Sequence, residues 1–274
     1  MLRILLNALR TGVVTTRYPT TPSVPPARFR GAPVLRPGSG LPPAAVCPTG
    51  ALSERFDAAG RHVALDLARC VFCGRCAEDP WAGAVAMGRG FELAARSRAD
   101  LRIEVLADDP ALAGAGPTPE PDAEAAGASA EIRRVLGRSL HLRHLDAGSC
   151  NACDWELAAL LNPVYDVRRL GIDFVASPRH ADGVVVTGPV TRNLRSAVLR
   201  TFEAVPDPRV VIAVGACAAS GGIVGEGYAS AGGVDRVLPV DVYIPGCPPR
   251  PEAIIFGILV AIGRLDARRR PPEE

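Results

Sequence analysis

The sequence predicts an α/β protein in which an open parallel sheet in the second half is preceded by a small α+β module in the first. Short runs rich in Val, Ile and Leu recur after residue 139, separated by stretches with helical periodicity. Continuous apolar strands alternating with helices make a parallel sheet covered on both faces. Eight cysteines fall into two groups of four, Cys47, Cys70, Cys73 and Cys76, then Cys150, Cys153, Cys217 and Cys247. Between the groups, Asp108–Ala130 carries one Leu and no aromatic residue, too little apolar surface to fold. It divides the chain.

Residues 1–46 read as a helix followed by an arm. Leu2, Leu5, Leu6 and Leu9 share one helical face that suits a bilayer surface or a partner subunit. From Tyr18 to Pro48 the density of Pro predicts an extended arm lying over another surface. Residues 47–107 hold two cysteine-bearing segments with a strand, His62–Asp66, between them. Residues 108–130 are the linker. In residues 131–274, strands are expected at Leu140–Leu145, Ile172–Ala176, Gly183–Thr187, Arg209–Val214 and Val240–Ile244. Pro251 opens a helix that turns Ile254, Ile255 and Ile258 to the core.

The run Cys70-Val-Phe-Cys73-Gly-Arg-Cys76 has C-x2-C-x2-C spacing, by which one short loop wraps three corners of a [4Fe–4S] cube. Cys47, followed by Pro48, is the candidate for the fourth corner. Eight cysteines in 274 residues are too sparse for a disulfide scaffold. Structural zinc is the competing reading, although zinc ribbons pair one C-x2-C with another and neither group does so. Every one of the 31 basic residues is Arg, against 29 acids, for a net charge of +2. Without a strong basic excess or Arg runs interleaved with aromatics, no nucleic-acid partner is expected. The most apolar charge-free stretches, Val210–Gly225 and Ala253–Gly263, fall short of the roughly 20 residues a spanning helix needs.

The later cysteines each follow an expected strand: Cys150 and Cys153 the first, Cys217 the Val214 end, Cys247 the Ile244 end. In open α/β sheets, ligands bind in the crevice beyond the carboxyl ends of the strands, so four thiolates from three loops are expected at one edge. The glycines beside them, Gly148 and Gly215 among them, let backbone approach a cage and aim amides at its sulfides.

Gly148-Ser-Cys-Asn-Ala-Cys-Asp-Trp-Glu156, Thr187-Gly-Pro-Val-Thr191, Gly215-Ala-Cys217 and Ile244-Pro-Gly-Cys-Pro-Pro-Arg-Pro-Glu252 make the segment from about Ser139 to Leu265 resemble a known subunit. It is the small subunit of energy-converting, membrane-bound [NiFe]-hydrogenases of the formate hydrogenlyase (hydrogenase-4) type, related to the 20 kDa cluster-bearing component of complex I. The resemblance implies a flavodoxin-like open sheet and a [4Fe–4S] cluster on Cys150, Cys153, Cys217 and Cys247. The two residues between Cys150 and Cys153 match the hydrogenase side, since those cysteines are adjacent in the complex I component. Residues before about 110 resemble a different subunit of the same complexes, the two-cluster ferredoxin-like protein, through Thr11-Gly12, Tyr18-Pro19, Phe29-Arg-Gly31 and Cys70 to Cys76. Two subunits would thus be fused. The first cysteine run of that family is missing between Pro37 and Ala44, and Pro80 replaces the last cysteine of the second run. The fourth cysteine of each run ligates the other cluster, so the losses remove one ligand set and leave Cys47, Cys70, Cys73 and Cys76 complete.

The resemblance implies further roles. Glu156 would stand near the catalytic partner, where a carboxylate passes protons; its simpler role is a first-turn acid of a helix Asp154–Leu161. Thr187, Gly188 and Thr191 would line the C-terminal cluster, although Thr hydroxyls commonly satisfy loop amides. His141, His144 and His180 are expected as ordinary imidazoles, and Asp79 as an exposed acid. The expected protein is a peripheral subunit on the cytoplasmic side of a membrane, relaying electrons through two [4Fe–4S] clusters. Its partners would be a hydrogenase large subunit-like catalytic chain, membrane-embedded subunits and an unidentified electron donor. A complex I-like quinone reductase component is the alternative.

Overall fold

A computed structural model describes residues 2–36, 40–81, 83–107, 134 and 137–269. The expected linker at 108–130 lies outside them. The chain opens with helix α1 (Leu2–Thr11). Residues 12–32 contain no helix or strand, but the rest of the expected arm is not irregular, since it holds a short strand at Pro33–Leu35 and a 3-10 turn at Ala44–Val46. Next come β1 (Pro33–Leu35), β2 (Leu52–Asp57), β3 (Gly60–Asp66), β4 (Val85–Met87) and β5 (Arg102–Leu106). They form a two-stranded sheet, β1 with β4, and a three-stranded sheet in the order β2-β3-β5. All of these pairings are antiparallel.

The later half contains β6 (Leu140–Asp146), β7 (Ile172–Phe174), β8 (Gly183–Thr187), β9 (Val210–Val214) and β10 (Val242–Ile244). The order is β10-β9-β8-β6-β7 and every pairing is parallel. Counted within this sheet, that is 2-1-3-4-5, the order of the flavodoxin-like open sheet, with its switch point where β6 separates β7 from β8. Every residue of β8, β9 and β10 is buried, which is why these strands read as unbroken apolar runs. The helices are α2 (Ala152–Ala159), α3 (Arg195–Glu203), α4 (Gly215–Ser220) and α5 (Pro251–Arg269). Ile254, Ile255 and Ile258 of α5 are fully buried, as their spacing predicts.

The two halves share their apolar interior. One core cluster combines Leu67, Ala68 and Leu101 with Val186, Ala213 and Ala218; another joins Tyr18 and Phe91 to the face of the parallel sheet that α5 covers. Ala95 pairs antiparallel with Tyr243 through N–H···O bonds of 3.0 and 2.8 Å, extending the sheet beyond β10. The Pro-rich arm lies on the chain itself, its first part against the later half through Tyr18 and Ser23 and its later part against β4. Thr16 N donates to Val164 O at 2.8 Å, and the hydroxyl of buried Tyr18 donates to Glu92 at 2.7 Å.

Candidate metal centres

The first cysteine set is assembled by tight turns. At the end of β3, Asp66 accepts Ala68 N on its side chain at 2.9 Å and Cys70 N on its carbonyl at 3.1 Å. This reversal brings Cys70 inside. Phe72 and Gly74 take left-handed φ values of 53° and 83°, bending the loop so that Cys73 and Cys76 join it. Cys47 arrives from a 3-10 turn at Ala44–Val46. All four line one cavity, walled by Leu52, Leu65 and Met87.

Burial, opposed by the Phe72 amide and reinforced by Cys76, Cys47 and Cys73, pushes the Cys70 thiol up to about 12. Burial followed by Cys73 and Cys47 pushes Cys76 to about 11. At Cys47 burial also acts upward, but donors from Thr49, Leu52 and Ala51 outweigh it and hold the thiol below its ordinary value. The N–H groups of Ala51 and Phe72 stand 3.2 Å from Cys47 Sγ and 3.4 Å from Cys70 Sγ. Such donors stabilise thiolate and the charge of a cage.

The second set gathers at the carboxyl ends of β6, β9 and β10. At the end of β6, Asp146 accepts the amides of Gly148 and Ser149 at 2.9 and 2.7 Å, presenting Cys150 just before α2. Cys153 lies in the first turn of that helix. Ala216 N donates to Gly246 O at 2.8 Å, tying the turn that carries Cys217 to the turn that carries Cys247. Burial, then Cys217 and Cys247, push Cys153 well above the ordinary thiol range. Cys217 and Cys247 are raised by burial and by neighbouring thiols of the same set. Cys153 is buried, whereas Cys150 and Cys247 are exposed, so this set opens on one side.

Two glycines show that the backbone presses on these thiols. A Cβ on Gly215 would lie 2.5 Å from Cys153 Sγ, and one on Gly222 2.8 Å from Cys217 Sγ. Gly148, Gly188 and Thr191 pack on one another behind the Cys150 loop: a Cβ on Gly148 would meet the Thr191 side chain at 2.4 Å, and one on Gly188 would meet Ser149 N at 2.6 Å. Among the described residues, no three His, Cys, Asp or Glu side chains close onto a point the size of a single ion. The first four thiols ring a wider space. All eight are free, and both donor sets suit an iron–sulfur cage, which needs four separated thiolates with amides aimed inward.

Thr187 is fully buried and donates to Asp154 Oδ1 at 2.8 Å. It serves a carboxylate rather than a loop amide. Asp154 also accepts the Ser149 hydroxyl, and His144 Nε2 lies 2.8 Å from it. Burial outweighs that carboxylate and holds the His144 imidazole below its ordinary value. This network behind Cys153 escaped sequence reading, because residues 144, 149, 154 and 187 share no motif. His141 lies instead beside Arg138, 3.0 Å from its guanidinium, and His180 in a 3-10 turn. Asp79 is exposed.

The helix carrying Glu156 begins at Ala152, two residues before the expected start, because Asn151 turns the chain in the left-handed region at φ 68°. Glu156 therefore lies in the second turn, and Asp154 is the first-turn acid. Glu156 is partly buried; burial, then Glu252, raise its carboxyl pKa, while Arg250 opposes them. Glu252 is 3% exposed and is gripped by the Arg250 guanidinium at 2.8 and 2.6 Å. That guanidinium also lies over the rings of Phe29 and Phe91, 5.3 and 4.8 Å from their centroids.

Residues 150–261 match the family described as NADH ubiquinone oxidoreductase, 20 Kd subunit. The chain is 46% identical over 148 residues to a probable membrane-bound hydrogenase subunit, mbhJ, of Pyrococcus furiosus, covering 53% of this chain and 89% of that protein. It is 46% identical over 139 residues to formate hydrogenlyase subunit 7 of Escherichia coli, covering 51% of this chain and 54% of the relative. It is 48% identical over 132 residues to an uncharacterized protein, MJ0516, of Methanocaldococcus jannaschii, covering 48% and 88%. An NADH-quinone oxidoreductase component of Geotalea daltonii is 47% identical over 117 residues, covering 43% and 68%. With the open parallel sheet and the cysteines at its carboxyl edge, this similarity makes the chain a member of the NADH ubiquinone oxidoreductase 20 Kd subunit family, which includes subunits of hydrogenase complexes.

Proposed function

We propose that this chain is an electron-transfer subunit of a membrane-associated hydrogenase-like or complex I-like complex, and that it holds two [4Fe–4S] clusters. Cys47, Cys70, Cys73 and Cys76 hold one, and Cys150, Cys153, Cys217 and Cys247 the other. The single observation that carries this reading is the sorting of eight free thiols into two groups, each within mutual electrostatic reach. Each bound cluster takes up and releases one electron. The chain supplies thiolates, amide donors and an apolar wall that keeps water from the first site.

In this reading, residues 47–107 are a ferredoxin-like module and residues 131–274 a hydrogenase small-subunit-like module, joined through 108–130. The first site is the outer relay. The second, open at Cys150 and Cys247, faces a hydrogenase large subunit-like catalytic chain. Trp155, 75% exposed two residues after Cys153, and Ile223, 73% exposed beside Gly222, supply apolar surface for that docking. Glu156 passes protons across this interface. Percent identity does not separate the hydrogenase and quinone branches, at 46% and 47%, but the hydrogenase relative is matched over 148 residues and 89% of its length against 117 residues and 68%; the spacing of Cys150 and Cys153 also favours hydrogenase. No described helix is long and apolar enough to cross a membrane. Attachment to the cytoplasmic side falls to partner subunits and to α1, whose Ile4 and Leu9 are 74% and 72% exposed.

Single Cys→Ser variants test the ligand sets. Cys47→Ser should damage the same paramagnetic signal as Cys73→Ser and leave intact the one that Cys217→Ser removes. If Cys47→Ser left the Cys73-dependent signal unchanged, the first ligand set would be wrong.

A further inference from the structure

Two cavities meet at the loop between Cys70 and Cys73. One is ringed by the first four cysteines. The other is lined in addition by Pro245, Gly246, Cys247 and Pro248. Val71 and Phe72 are the residues common to both linings. We propose that electrons pass between the two cysteine sets through this Val71–Phe72 partition to Cys247, and that Phe72 is a positioning residue for that transfer. The proposal rests on the two-cluster reading above. One electron moves per event: the first site is oxidised by one, the second is reduced by one, and no bond forms or breaks.

The partition is held from several sides. Phe72 is in the left-handed region, φ 53°, where a bulky side chain is an outlier that surrounding structure must enforce. Its amide donates to Cys70 Sγ at 3.4 Å, so Phe72 is fixed to a proposed ligand at its own backbone. Arg30 donates to Cys73 O and covers Gly74 so closely that a Cβ there would lie 3.3 Å from the guanidinium carbon. Across the second cavity, Phe29 and Phe91 hold Arg250 against Glu252, which fixes the start of α5 just after Cys247. Phe72 is half-buried and packs against the core shared by the two halves, which holds its ring in the partition.

A second connection competes with this one. The Ser220 hydroxyl donates to Ala68 O at 2.8 Å, linking the turn before Cys70 to the helix of Cys217. It joins the sets two residues before Cys70 and three residues after Cys217, whereas Phe72 adjoins Cys73 and holds Cys70 Sγ through its own amide.

The test uses the full chain with its clusters, reduced by a pulse of photoexcited deazaflavin and followed by freeze-quenched electron paramagnetic resonance. The readout is the rate at which the electron redistributes between the two signals. Phe72→Gly relieves the backbone strain and removes the ring. The expected result is iron retained at both sites and a redistribution rate that, compared at equal driving force after the midpoint potentials of both sites are measured, falls several-fold, while Ser220→Ala leaves the rate unchanged. A Phe72→Gly rate equal to wild type, or a larger fall in Ser220→Ala, overturns the route. If Phe72→Gly and Phe72→Leu both lose the first signal, Phe72 is a wall of the cage and the proposal fails. An iron content of one cluster per unmodified chain would instead overturn the two-cluster reading itself.

Discussion

Gly215→Ala probes how tightly the backbone closes on the second cysteine set. Gly215 leaves β9 at φ 89°, a left-handed conformation that costs a residue with a Cβ roughly 1–2 kcal/mol. The added methyl would stand 2.5 Å from Cys153 Sγ, and Cys153, 8% exposed, has no open space to enter. Overpacking of this kind costs about 1–3 kcal/mol. The sum is roughly 2–5 kcal/mol, and at roughly 2–4 °C per kcal/mol for a domain of this size the melting temperature should fall by roughly 4–20 °C. Gly225→Ala is the control, because Gly225 has φ 68° but nothing within 4 Å of the new Cβ. It should suffer the conformational cost alone. Thermal melts of anaerobically purified protein, with iron measured on the same samples, separate the terms. Gly215→Ala should lose the iron of the second set selectively and melt well below Gly225→Ala. Equal melting temperatures and equal iron contents would refute the reasoning.

Burial followed by the Glu252 charge raises the Glu156 pKa in the folded state. Its favourable contribution is therefore complete below the unfolded value of about 4.3 and is lost as pH rises through the folded value. Glu156→Gln, freed of that loss, should gain stability relative to wild type as pH rises from acid to neutral, read as urea midpoints across the range; a pH-independent difference would contradict the assignment. Leu6 and Leu9 of α1 are 49% and 72% exposed, and Arg3 and Arg10 flank them with no acid in the helix. Leu6→Ser with Leu9→Ser should therefore abolish co-sedimentation with phosphatidylglycerol vesicles, and retention of full binding would remove α1 from the membrane reading.

The convergence of Cys150, Cys153, Cys217 and Cys247 was legible because each follows a strand of one parallel sheet, and parallel strands present their carboxyl ends together. The buried face of α5 was legible for a similar reason: the spacing of Ile254, Ile255 and Ile258 repeats on one side of a helix. What the Pro-rich arm covers was not legible, since Thr16 and Tyr18 meet Val164 and Glu92 only through tertiary packing. The Asp154, Thr187 and His144 network was hidden likewise, for it depends on where three separate turns aim short side chains. The start of α2 was not legible, because it depends on Asn151 turning the chain through the left-handed region so that the helix begins at Ala152, two residues ahead of Asp154.

Metal and sulfide analysis of anaerobically purified full-length chain tests the central claim most directly. Two cubes predict about eight irons and about eight acid-labile sulfides per chain, with no stoichiometric zinc. About four irons would leave one cysteine set without a cluster, and zinc at two ions per chain with no sulfide would replace electron transfer with a structural role.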